Sequence, residues 1–102
     1  MATISMIEHR SAWYDIYDEI GKKQKTLSDS IGDVLGWSSS FFIVHRHSWY
    51  DLYDASGKKY KTMSDSIGSF VSISGDTFIM RRSAWLDTYD NSGRKISTRA
   101  AH

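Results

Sequence analysis

The chain has 102 residues, 13 Lys and Arg against 12 Asp and Glu for a formal charge of +1, and neither Cys nor Pro. That length suits a single domain, residues 1–102, with one core, and the lack of Cys excludes disulfide staples, Cys-ligated zinc and thiol catalysis. Near-neutral charge gives no overall reason for a polyanion partner. No basic segment leads into a long apolar run, and no stretch approaches the roughly 18 apolar residues of a membrane span. The expectation is a soluble, cytoplasmic protein.

The dominant feature is an internal repeat, which has to be found first because it decides the architecture. Trp13, Trp49 and Trp85 lie 36 residues apart, and aligning on them divides the chain into copies 7–42, 43–78 and a shorter 79–102 without insertion or deletion. The first two copies agree at 20 of 36 positions, which points to duplication. Nine positions are the same in all three, the series that begin at Ile7, Arg10, Trp13, Asp15, Tyr17, Asp18, Gly21, Lys23 and Thr26.

Taken in chain order, Ser11-Ala12 reads as a two-residue hairpin loop that sets Arg10 opposite Trp13 and Glu8 opposite Asp15. Asp18-Glu19-Ile20-Gly21-Lys22 is a turn with Gly at a left-handed position, and it recurs as Asp54 to Lys58 and Asp90 to Arg94. Beyond it, Leu27, Ile31 and Val34 or Leu35 recur at helical spacing after a potential cap at Ser28, so a short helix competes with a fourth strand. Strand is favoured, because Val71-Ser72-Ile73 alternates and Gly32 and Gly68 penalise a helix. In the second copy the predicted strands are Phe42 to Arg46, Trp49 to Tyr53, Lys59 to Met63 and Ser69 to Ser74, with a reversal at Ser74-Gly75-Asp76. The third copy stops after its third strand. Its open edge would be closed by the segment around Thr3 to Ser5 or by another subunit. The predicted fold is therefore all-β, with three tandem antiparallel meanders in pseudo-threefold arrangement. A β-trefoil-like body, a rolled meander sheet and half of a propeller completed by a second chain all satisfy the pattern, and the fixed period favours a closed body.

Side chains two apart share a face of a strand. One face thus gathers Arg10, Trp13, Asp15, Tyr17 and Lys25, with Tyr17 facing Lys23 and Asp15 facing Lys25. The later copies supply Arg46, Trp49, Asp51, Tyr53 and Lys61, then Arg82, Trp85, Asp87 and Tyr89. These are the candidate ligand-binding residues, where aromatic planes stack on a ligand and charges orient it. The competing view makes them scaffold, with Arg on the indole and Asp holding Lys across strands. The opposite face, with Ile7, Tyr14, Ile16, Ile43, Tyr50, Leu52, Tyr60, Ile79, Leu86 and Ile96, is the expected core.

Alternating aromatic and basic residues suit single-stranded nucleic acid. The charge, however, runs from −2 in the first copy through 0 to +3 in the third, so no continuous basic strip exists. Carbohydrate or protein is the better partner, bound as a multivalent ligand, and the charge gradient also suits head-to-tail self-association. His9, His45 and His47 lack a third metal ligand at useful spacing, and Asp15-x-x-Asp18-x-x-Gly21 is turn chemistry rather than a calcium loop. No nucleophile elbow, phosphate loop or dinucleotide fingerprint is present. The reading is a non-catalytic binding module without cofactor.

Overall fold

The computed structural model describes residues 3–101 and is built from eleven strands in three antiparallel sheets. Sheet 1 comprises β1 (Met6–Arg10), β2 (Trp13–Tyr17) and β3 (Lys23–Ser28). Sheet 2 is the meander β4 (Asp33–Trp37), β5 (Phe41–Arg46), β6 (Trp49–Asp54) and β7 (Lys59–Ser64). Sheet 3 repeats it with β8 (Ser69–Ser74), β9 (Thr77–Arg82), β10 (Trp85–Asp90) and β11 (Lys95–Ala100). The repeated meander is as the sequence pattern demands, but the three sheets stay separate and do not close into a barrel. No helix among the described residues is long and apolar enough to cross a membrane.

The competition between helix and strand after Leu27 resolves into both, in sequence. Ser28 caps a single 3-10 turn, Asp29–Ile31, by accepting from the Ser30 N–H, and Ser64 does the same for Asp65–Ile67. Gly32 and Gly68 end those turns with φ of 124° and 132°, and the chain then extends into β4 and β8. Each of these strands joins the sheet of the following copy rather than its own. Sequence copies and sheets are therefore offset by one strand, and β8 supplies the fourth strand of sheet 3. The expectation that Thr3 to Ser5 close the third copy fails for this reason; Ile4 N–H instead donates to Ser39 O and Ser5 N–H to Tyr17 O, both at 2.8 Å. Among the described residues it is β1 whose outer edge lacks the strand that β5 and β9 receive from β4 and β8.

Two clusters of buried side chains hold the sheets together. Ile7, Tyr14, Ile16 and Leu27 of sheet 1 pack with Phe42, Val44 and Tyr53 of sheet 2. One period on, Ile43, Tyr50, Leu52 and Met63 of sheet 2 pack with Phe78, Met80 and Tyr89 of sheet 3. The joints are the same joint, shifted by 36 residues. Within them Tyr53 stacks on Phe42 at 5.0 Å and Tyr89 on Phe78 at 5.2 Å between ring centroids, offset ring contacts that add to area burial. The assignment of core to a single face needs correction here, since a sheet in the middle of a stack buries both faces. Tyr60 and Ile96, expected inside, are exposed because each is the extra residue of a bulge.

The two-residue loops carry positive φ at Ser11, His47 and Ser83. Positive φ confined to the first loop residue is the type II′ pattern, where Gly is preferred. A non-Gly residue there stores about 1–3 kcal/mol, against an entropic cost of about 0.5–1 kcal/mol for introducing Gly. His47→Gly is accordingly expected to raise the urea midpoint, by about 0.5–1 kcal/mol of stability. An unchanged or lower midpoint would show that the loop is unstrained.

Candidate functional site

The hairpin tips bring together three of the predicted residue types. Cross-strand pairing places Arg10 opposite Trp13, Arg46 opposite Trp49 and Arg82 opposite Trp85. At each tip a carboxylate sits beneath the arginine: Arg10 Nε donates to Asp15 Oδ2 at 2.8 Å, Arg46 Nε to Asp51 Oδ2 at 2.9 Å and Arg82 Nε to Asp87 Oδ2 at 3.0 Å. Thr26, Thr62 and Thr98 each donate a hydroxyl to the other carboxylate oxygen at 2.8 Å. Lys23, Lys59 and Lys95 complete the set, with Nζ 3.7–3.9 Å from the same aspartates. All three aspartates are fully buried, at 0% exposure, and no buried side-chain polar atom among the described residues is left without a partner.

The electrostatics follow from those partners. Hydrogen bonds from Arg10 and Thr26 hold the Asp15 carboxyl below the usual carboxylate range, and that from Arg82 leads for Asp87. Burial works to raise the Asp51 carboxyl, but Arg46, Thr62 and the nearby Lys59 charge outweigh it and the net direction is down. Arg46 is raised in turn by its bond to Asp51. A carboxylate so enclosed contacts no ligand; its work is to fix a guanidinium.

The expected Asp15 to Lys25 pairing is not made. Register shifts between Ile16 and Tyr17, so Lys25 falls opposite Ile16 and Asp15 opposite Thr26; Lys61 likewise falls opposite Leu52. One bulge residue flips every later side chain to the other face, and Lys25 and Lys61 leave the aspartate face. Their stems lie over the turns of the next sheet at Gly57 and Gly93. Tyr53 and Tyr89 belong to the inter-sheet core, and only Tyr17 stays partly open, donating to Glu8 at 3.2 Å. The guanidiniums point to carboxylates rather than resting on indoles. His9 and His45 bond Asp29 and Asp65 at 3.2 and 3.1 Å and lie against Tyr14 and Tyr50. No cluster of three or more metal-ligating side chains occurs among the described residues.

What remains at the tips is an exposed indole beside a pinned arginine. Trp13, Trp49 and Trp85 are 46%, 44% and 45% exposed, the same value whether their sheet is at the end or the middle of the stack. The threonines that complete the carboxylate shell had a signal in sequence, as one of the nine invariant positions. A second feature had none. Between the outer turns of sheets 2 and 3 lies an open cavity of about 470 Å³, lined by Ser40, Asp54, Tyr60, Lys61, Asn91 and Ser92. The Tyr60 hydroxyl donates to Asn91 O, and partial burial, with the Asp54 and Asp90 charges behind it, pushes its pKa up to about 12. No protein-family model, curated protein or solved structure matches the chain.

Proposed function

We propose that the protein is a non-catalytic binding module whose three Arg–Trp hairpin tips engage a multivalent ligand, with carbohydrate as the favoured class. The observation that carries this reading is the uniform exposure of Trp13, Trp49 and Trp85, each next to an arginine immobilised by a buried aspartate. An indole covers the apolar face of a sugar ring, while a fixed guanidinium donates to hydroxyl or carboxylate oxygen with little further loss of side-chain entropy. Stacked sheets are spaced about 10 Å apart, so three weak sites in a row gain from a polymer that reaches more than one. Nucleic acid fits less well, because the first copy is acidic.

Tryptophan fluorescence titrated with a panel of oligosaccharides and with oligonucleotides, at low and high salt, tests the reading. Quenching by sugar that persists in high salt is expected. Trp49→Ala is expected to weaken binding about 5- to 30-fold, as loss of a stacking residue worth about 1–2 kcal/mol does, with stability changed by less than about 1 kcal/mol. Collapse of cooperative unfolding in that variant would make the indole scaffold instead. Arg46 is the wrong residue to truncate, because its loss would strip a buried carboxylate of its main partner.

A further inference from the structure

The stack ends in two unlike faces, each one half of a joint that is complete twice inside the molecule. At the sheet 1 end the uncovered positions are Met6, Glu8 and Tyr17, equivalents of Phe42, Val44 and Tyr53 and of Phe78, Met80 and Tyr89. Met6 is 42% exposed where Phe42 and Phe78 are each 1% exposed. At the sheet 3 end they are Ile79, Leu86, Val71 and Arg99, equivalents of Ile43, Tyr50, Leu35 and Met63 in the covered face of sheet 2. Val71 stands 48% exposed there, while Leu35 packs into the core.

The departures from the internal pattern are paired. Inside the molecule, the joint between sheets 1 and 2 contains Leu27 with Val44, and that between sheets 2 and 3 contains Met63 with Met80. At the ends the same two positions are Arg99 and Glu8. An apolar pair has become a base on one outer face and an acid on the other. Arg81 adds to the basic side, where the other copies have His9 and His45. Plain solvent caps would need polar residues of no particular sign; opposite signs at positions that share a joint are what a contact between copies requires.

We infer that the sheet 3 face of one chain docks on the sheet 1 face of a second copy, repeating the internal joint, with Arg99 and Arg81 meeting the partner subunit's Glu8. Such a contact is heterologous, and it closes into a ring or grows into a filament. Meander sheets arranged radially close at about four to eight, and at three sheets per chain the one multiple of three within that range is a ring of two copies. Sheets 2 and 3 come closest at β4 and β8, their first strands, as blades set around a hub would. The Trp tips lie clear of both joints, so the ring carries six of them on one rim.

Sedimentation equilibrium of the 102-residue chain, across concentration and at two salt levels, is expected to give twice the chain mass. Glu8→Arg and Arg99→Glu are each expected to weaken the dimer at least tenfold. Both residues are exposed in the single chain, so circular dichroism of the variants should match that of the parent. The doubly exchanged chain, Glu8→Arg with Arg99→Glu, restores the pairing in reversed sense and should recover association to within about threefold. A strict monomer at all concentrations would overturn the inference. So would a dimer indifferent to both single exchanges, or a double exchange no better than either one. Masses that climb without limit would overturn the closed ring. None of these readouts involves the carbohydrate ligand, so failure here and failure of the binding reading are separable.

Discussion

Gly68→Ala is expected to cost about 3–5 kcal/mol, enough to remove much of the stability of a domain of this size. A Cβ at Gly68 would stand 2.9 Å from the carbonyl carbon of Arg81 and closer still to its carbonyl oxygen, and φ there is 132°. Backbone strain contributes about 1–3 kcal/mol and the forced displacement of β9 a similar amount. Relief by movement is blocked on both sides. Gly68 N–H donates to Asp65 O at 3.2 Å and Gly68 O accepts from the Tyr50 hydroxyl at 2.6 Å, so shifting the chain loses the turn that passes it from sheet 2 to sheet 3. Gly75→Ala is the control, at φ 56° with nothing within 4 Å, and is expected to cost only about 1 kcal/mol. Urea unfolding of both variants decides the matter; equal losses would show that the close approach at Gly68 is not what demands glycine.

How much of this was legible in the sequence depends on the distance over which each feature is determined. The hairpins were readable because their causes are local: a two-residue loop at Ser11-Ala12 and a left-handed glycine at Gly21 set the pairing of Arg10 with Trp13 and of Tyr17 with Lys23. The failure at Lys25 is just as local. Nothing in Gln24 announces that it is the extra residue of a bulge, and one skipped residue is enough to move Lys25 and Lys61 from the aspartate face. The assignment of β4 and β8 to the following sheet was not legible. Strand propensity says that Val34 and Leu35 extend, but which sheet receives them is decided where Gly32 and Gly68 redirect the chain. The inside-outside assignment failed for a related reason. A pattern of alternation identifies two faces, and only the stacking of sheets decides that both are covered in the middle one.

The candidate site divides along the same line. Repetition of Arg, Trp and Asp at fixed spacing was visible, yet repetition preserves scaffold and site alike. Burial divides the repeated residues: Asp15, Asp51 and Asp87 are enclosed, the tryptophans face solvent, and the arginines link one group to the other. Tyr53 and Tyr89, which looked like further stacking platforms, went to the core because the sheet beside them covers the face on which they stand.

Asp51→Asn is expected to destabilise the protein by about 2–3 kcal/mol and to make its stability less sensitive to acid. Asn supplies one acceptor in place of two, so if its oxygen keeps the Thr62 hydroxyl, its amide N–H₂ meets the donating Arg46 Nε at the other position. A buried donor facing a donor loses the hydrogen bond and leaves both groups unsatisfied. The full about 3–5 kcal/mol of a broken buried ion pair is not reached, because the Arg46 side chain is 33% exposed and water takes over part of its charge. The pH dependence follows from the direction of the shift. Asp15, Asp51 and Asp87 are held below their unfolded carboxylate values, so over the acid range the unfolded chain binds more protons than the folded one, and stability rises with pH. Their contribution is complete above the unfolded pKa of about 3.9 and is lost as pH falls through the lower folded values. Thermal midpoints of the parent should therefore fall below about pH 4. In Asp51→Asn, where one of these carboxylates cannot titrate, the fall should be shallower and start from a lower plateau. An acid limb as steep as the parent's would mean that Asp51 does not anchor Arg46 through its charge. The pinned guanidinium would then have to be explained by packing alone, and the arginines would lose the fixed orientation on which the proposed recognition at the tips depends.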